Sequence, residues 1–324
     1  MIPQIISCFN YLTGIMKIFS LILILFYSFG IGQDKSVSWS LSYIFDGVKT
    51  PTGKFINITA VDLDPEGNLF ILDAGRNRIL KYSDKNQLIQ EIGGFGNSQD
   101  RFNDPRDLDA HLTLNVFVSD FNNNRIVRFD SNLNYLSDFR IEDFNISYDN
   151  PLYFEMPLSV AVNNQYDIFV LEDLNKRIIK IDRFNQPLAA FGKASENLGQ
   201  LLGPQQINIG PKNEIYVSDP LSNSIVVFDF LGNFIRSIIH PDFIEPRGID
   251  VSNTGEIIVA DQKAKKVFFF KPSGKFSMVW DLMSENIEPT DVAMYSPKGS
   301  NKILLYVSSQ TKCYRFTNAS PTQN

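Results

Sequence analysis

LFILDAGRNRILKY, residues 69–82, reads as an apolar strand closed by Asp73, a short turn, and a second apolar strand led by Arg78. The same layout returns as VFVSDFNNNRIVRF (116–129), IFVLEDLNKRIIKI (168–181), IYVSDPLSNSIVVF (215–228), IIVADQKAKKVFFF (257–270) and a shorter LYVSSQTKCYRF (305–316). Its marker positions are Asp73, Asp120, Glu172, Asp219, Asp261 and Ser309, at spacings of 47, 52, 47, 42 and 48 residues. A period of about 40–50 residues is that of one four-stranded propeller blade.

Working outward, each copy is preceded by a further short strand, opening at Pro105, Pro157, Pro204, Pro246 or Pro289, with Ile58 in that column of the first copy. Proline fits there because the first residue of a strand can forgo its ladder N–H. A turn and a fourth strand follow each copy except the last, where only the polar stretch 317–324 remains. The segment SWSLSYIFD (38–46) alternates polar and apolar residues as a half-buried strand does. It is expected to complete the sixth sheet, so that the ring closes with no long edge unpaired. The fold class predicted is all-β, a six-bladed β-propeller of four-stranded antiparallel blades closed by an N-terminal strand.

These residues resemble the NHL-repeat family, whose units run Pro-x-Gly-Ile-x-Val, Gly-Asn-x-Tyr-Val-x-Asp and Asn-x-Arg-Ile. Gly67-Asn68-Leu69-Phe70 with Asp73, Asn77, Arg78 and Ile79 is the best copy, and Asn124-Arg125-Ile126 the next. Copies five and six depart from it, with Lys266 and Tyr314 in the arginine column. The resemblance spans 44–316, points to an exported, bacterial-type member, and implies the fold rather than an activity.

The run IFSLILILFYSFGIG (18–32) behind Lys17 reads as an export signal, with residues 1–32 a signal peptide or a retained apolar anchor and Met16 the better natural start. A single propeller domain (33–317) and a polar tail (318–324) follow. Cys8 falls in the leader, which leaves Cys313 without a disulfide partner. Without the leader the chain has 29 basic and 36 acidic side chains, a net charge of −7, and this opposes binding to a phosphate backbone. No nucleic acid is therefore expected as partner, and a membrane only if the leader is kept. The chain is placed outside the cytoplasm, secreted or periplasmic.

An Asp/Arg pair present in most copies cannot be one active site. It is read as a structural hairpin pair of exposed type, worth ~0.5 kcal/mol. Asp62-Leu63-Asp64-Pro65-Glu66-Gly67-Asn68, with Asp73 twelfth, nearly spells a calcium loop of EF-hand type, but it is in register with an ordinary hairpin of the other copies. His111, His240 and Cys313 sit in separate copies, which gives zinc little support. His240, near Asp242, Glu245 and Arg247, is a candidate base at the channel mouth.

The ligand site is placed where copies differ at the starts of the inner strands: Arg106, Asp107, Gln205, Gln206, Arg247 and Asp291, with Asn208 and Asp250 two positions further along, beside Asp62 and Asp109. These positions are expected to meet at one end of a central channel, with no catalytic residue named. The leading reading is a binding module for a protein, peptide or glycan, using this channel face and the loops 97–104, 142–155 and 193–203. The aromatics Phe144, Tyr148, Tyr153 and Phe154 make the second loop the favoured contact. The alternative is a metal-dependent hydrolase or lactonase-like enzyme. It would need Asp107, Asn208, Asp250 and Asp291 to converge on one cation, Ca2+ being the candidate cofactor.

Overall fold

The computed structural model describes residues 38–111, 114–144, 146–193 and 198–318. The leader, Cys8 and Met16 lie outside them, as do residues 319–324 of the polar tail. In the described residues 24 strands form six four-stranded antiparallel sheets. Five sheets are built from consecutive strands. The sixth runs Trp39–Phe45, Lys312–Asn318, Leu304–Ser309, Asp291–Tyr295, so the N-terminal strand is its outermost member. The pairing runs from Trp39↔Asn318 to Phe45↔Cys313, as the incomplete last copy predicts, but the half-burial read from the alternation is corrected, because on this outermost strand Leu41, Tyr43 and Ile44 are exposed.

The second and third strands of blade one, Leu69–Asp73 and Arg78–Tyr82, are buried on both faces, which is why they read as continuous apolar runs. Each face of a blade packs on a different neighbour. Val61, Leu63, Ile71 and Leu80 join Tyr306 of blade six, while Ala60, Phe70, Leu72 and Ile79 join Leu108, Val118 and Val127 of blade two. The core is thus six wedges, one per blade interface, and each large side chain fully buried there contributes about 1.5–3 kcal/mol.

The Asn-Arg signature has a local cause. Asn77 and Asn124 turn the chain at φ 51° and 50°, a left-handed conformation that asparagine tolerates. Their side-chain oxygens then accept the N–H groups of Asp104 and Met156 at 2.8 and 2.9 Å, tying each hairpin to the entry of the next blade.

The Asp/Arg pair corrects one expectation, because it is not exposed in the first two blades. Asp73 and Arg78 are 0% and 2% accessible, and Asp120 and Arg125 are equally enclosed. Each blade's entry loop folds over its hairpin: Asp73 accepts the N–H groups of Ile56 and Asn57, and Asp120 that of Asn103. In blades four and five Asp219 and Asp261 keep these backbone bonds, to Leu202, Gly203, Ile244 and Glu245, with no cation in ion-pair range among the described residues.

Candidate functional site

In four inner strands the register slips one residue after the first, between Ile58 and Ala60, Pro105 and Asp107, Pro157 and Ser159, and Pro246 and Gly248. A bulge re-aims its extra residue. Here Thr59, Arg106, Leu158 and Arg247 line a cavity of about 390 Å³ at one end of the channel, with Gln205, Gln206, Gln262 and Thr290. Arg247 donates to the side-chain oxygens of Gln262 and Gln205 at 2.7 and 3.0 Å. Arg106 pairs with Asp104 and lies 4.7 Å over the Phe121 ring.

Past the bulge, a relay of side chains explains why the channel is acidic. The inner strands present unpaired N–H groups, and the preceding blade supplies their acceptors. Asp291 accepts from Val61 at 2.8 Å, Ser159 from Ile207 at 2.9 Å and Gln206 from Ile249 at 2.7 Å, and Asp107 reaches Val160 at 3.4 Å. A deeper tier repeats the rule: Asp62 accepts from Ala110 at 2.6 Å, Asp109 from Val162 and Asp250 from Met294, both at 2.7 Å. Where the preceding blade offers only Gly248 or Ala293, the other carboxylate oxygen of Asp291 or Asp62 takes its own strand's N–H, from Val292 or Leu63. Gly248 is required there, since a Cβ would stand 2.5 Å from the Asp291 Cα.

The eight residues expected together are therefore divided. Arg106, Gln205 and Arg247 stand at the wide mouth, whereas Asn208 and Asp250 line a smaller cavity of about 130 Å³ at the other end. Asp107 and Gln206 border both cavities, and Asp291 is buried in the wall. Two residues along a strand is about 7 Å of depth, which separates the tiers. His111 joins the narrow end, its Nδ1 2.6 Å from Asp109, a place its isolated position in the sequence did not signal.

Burial raises the carboxyls of Asp62 and Asp291 well above the usual range, with Asp109 and Asp250 adding repulsion at Asp62 and Asp107 at Asp291. It lifts Asp107 to about 7 despite its bonds from Ser159 and Gln206, and Asp250 to about 6. Burial works against the His111 imidazolium, but Asp109 outweighs it and holds the ring at about 9. For all of these groups the folded pKa lies above the unfolded one. The stability from Asp107 and Asp250 is complete below about pH 4 and lost by pH 6–7, and that from His111 is complete below about 6.5 and lost toward 9. Melting temperature should therefore fall between pH 5 and 9 by the equivalent of roughly 2 kcal/mol, limited by solvent reaching the channel, and Asp107→Asn should flatten the part below pH 7. A calorimetric series rising over that window would show that the channel carboxyls stay ionised.

Other expected sites fall elsewhere. Among the described residues no three His, Cys, Asp or Glu side chains stand close enough to hold a metal ion. Asp107, Asp250 and Asp291 answer N–H groups of three different strands instead of converging with Asn208 on one point. In the calcium-like loop Asp64 closes the hairpin by accepting from Glu66 and Asn68. His240 is not at the mouth: it packs against Phe276 and Phe268, at 4.6 and 5.0 Å between rings. Of the aromatics in 142–155, Phe154 is inaccessible and stacks on Phe139, which Phe144 also covers, so only Tyr148 is left largely exposed.

The wide-mouth side departs from the repeat. Entry loops and second hairpins border it, as Asn57, Glu288, Gln262 and Gln310 show. On blades three to five these segments expose Met156, Leu174, Leu202, Leu221 (73% accessible) and Ile244. Within blade three the Asp173 N–H bonds the Met156 carbonyl, and within blade four Leu221 lies over Gly203, so each pair of segments is held together at this face. The matching segments of blades one, two and six carry Arg76, Asp104, Asn122 and Glu288, with Ile56 the exposed apolar exception in the entry loop of blade one, and on blade five Lys263 stands beside Ile244.

No family model matches the chain. A segment of 123 residues is 32% identical to Protein brain tumor of Drosophila melanogaster, covering 37% of this chain and 12% of that protein. A solved streptogramin B lyase superposes with a TM-score of 0.60 at 13% identity, over 86% of this chain and 98% of the lyase. A virginiamycin B lyase from Staphylococcus aureus gives 0.58 at 13% identity over 87% and 100%, and a gluconolactonase from Xanthomonas campestris 0.60 at 12% over 82% and 87%. Identities this low speak to fold alone. Repeats, sheet order and these likenesses agree that the chain is a six-bladed β-propeller, NHL-like in its units.

Proposed function

We propose that the chain is a binding module that receives a peptide segment of a protein partner on its wide-mouth side. The observation that carries this reading is the uneven character of that face, where exposed apolar side chains concentrate on the arc of blades three to five while blades one, two and six present mostly charged or amide side chains. A repeat that served only to close the ring would give each blade the same surface, and a contiguous exposed apolar patch marks an interaction site. The amides of Gln205, Gln206 and Gln262, with Arg247, suit the main chain of a peptide lying from the arc into the mouth. A sugar would favour an aromatic platform beside the amides, and Phe121 is already occupied by Arg106. The apolar stretch 18–32 supports a partner outside the cytoplasm.

Selecting random peptides on the full chain should return apolar sequences. Leu221→Glu, at an exposed position, should weaken them by about 30-fold, the effect of losing a contact worth ~2 kcal/mol, without lowering the melting temperature. Peptides bound equally by the wild type and by Leu221→Glu would show that the arc is not the binding surface.

A further inference from the structure

We propose a separate recognition site for an acidic residue of a peptide in a recess on the shoulder of blade one. It goes beyond the reading above, since none of its residues belongs to the arc or the channel. The recess encloses about 710 Å³ and is bordered by Thr52, Arg76, Glu91, Gly94 and Arg101.

Its charges are unevenly matched. Arg78, at its base, is fully committed: it pairs with Asp73 and Glu91 and donates to Thr50, Thr52 and the Gly53 carbonyl. Arg76 donates only its Nε, to the Lys54 carbonyl at 2.8 Å, and no carboxylate of the described residues lies in ion-pair range of it. Arg101 reaches the Gly93 carbonyl at 2.8 Å, and its one acidic neighbour, Asp100, is 3.8 Å away with both side chains about half exposed, too wet to neutralise it. Arg101 is nonetheless held in place. Gly93 and Gly94 turn at φ +123° and +118°, and Arg101 folds back so closely that a Cβ on Gly94 would overlap its Nη1.

Glu91 supplies the second, independent observation. Its side chain is 9% accessible; Oε1 serves Arg78 and Thr52, while Oε2 is enclosed with no hydrogen-bond partner among the described residues. Leaving a buried carboxylate oxygen unanswered is costly, so a turn of the Glu91 side chain that brings it to a donor in the recess it borders is favoured. The complement of one unanswered acceptor beside two uncommitted guanidiniums is an N–H next to a carboxylate, which is what an aspartate or glutamate presents within a peptide. Its main-chain amide would donate to Glu91 and its carboxylate would meet Arg76 and Arg101, the latter through paired N–H donors.

The test is calorimetric titration of the full chain with acetyl-Gly-Asp-Gly-amide, its asparagine counterpart and inorganic phosphate. The aspartyl peptide should bind about tenfold more tightly than the asparaginyl one, weaken with added salt, and lose about tenfold in Arg76→Gln and in Arg101→Gln. Glu91→Gln keeps the acceptor for Arg78 but replaces the orphan oxygen with a donor, and should weaken the peptide while leaving phosphate untouched. Leu221→Glu should change nothing here, so failure of this site and failure of the arc are separately visible. Equal binding of the two peptides, tighter binding of phosphate, or affinity unmoved by Arg76→Gln would each overturn the assignment.

Discussion

Arg125→Leu is expected to destabilise the propeller by about 3–5 kcal/mol, lowering the melting temperature by roughly 10 °C. Arg125 is 1% accessible, pairs with Asp120 at 2.7 Å and Asp138 at 2.9 Å, and donates to the carbonyls of Ser98 and Arg101. Leucine removes the partner and leaves Asp120 buried with its charge opposed only by neutral donors, at Asn103 and Asn123. Lysine should not restore the loss, because a single ammonium cannot span two carboxylates and two carbonyls. Lys266→Leu, at the same column of blade five, is the internal control. Its ammonium lies on the surface with Asp242, and the change should cost less than about 1 kcal/mol. Similar losses for the two variants, measured by thermal or urea unfolding, would mean that the burial of the blade-two pair has no energetic weight.

Removing the strand Trp39–Phe45 should have the larger effect, giving a chain that fails to close and associates through the uncovered strand Lys312–Asn318. Six residue pairs join these strands. Phe45, 3% accessible, sits 5.0 Å from the Tyr82 ring of blade one, and Trp39 stacks on Phe269 of blade five. One short strand thus covers both interfaces of blade six, and an exposed strand edge is a template for aggregation. The milder Phe45→Ala should cost about 3–5 kcal/mol and remain monomeric, as size-exclusion chromatography would show. A truncated chain that stays monomeric with an unchanged melting temperature would remove the closing role of this strand.

The parts that were legible in the sequence are the local ones. Strand, turn and strand recur within each copy, and Asp73-x4-Arg78 or the alternation of 38–46 can be read without knowing what lies opposite. The borrowed strand was legible because a closed ring leaves one incomplete sheet and one unassigned strand to fill it. The column that lines the channel was also legible, since Asp107 and Gln206, which border both cavities, occupy one position of the repeat.

Their arrangement was not legible. A two-residue step that looks trivial in an alignment moves Asp250 and Asn208 to the opposite mouth from Arg247 and Arg106. The bulge that turns Arg106 outward leaves no mark in residue type. His111 pairs locally with Asp109, two residues before it, whereas Asp62 comes near it only through the packing of blade one on blade two.

By itself, then, the sequence determined the number of blades, the strands in each and the closing segment, because backbone pairing and a fixed period act over short separations. Only the tertiary structure decided that the acidic channel residues answer N–H groups of the next blade, that the Asp/Arg pairs of the first blades are buried, and that exposed apolar residues of three blades fall on one side of the ring. Those outcomes depend on which side chains from distant copies come within a few ångströms of each other, and no repeat unit carries that information alone.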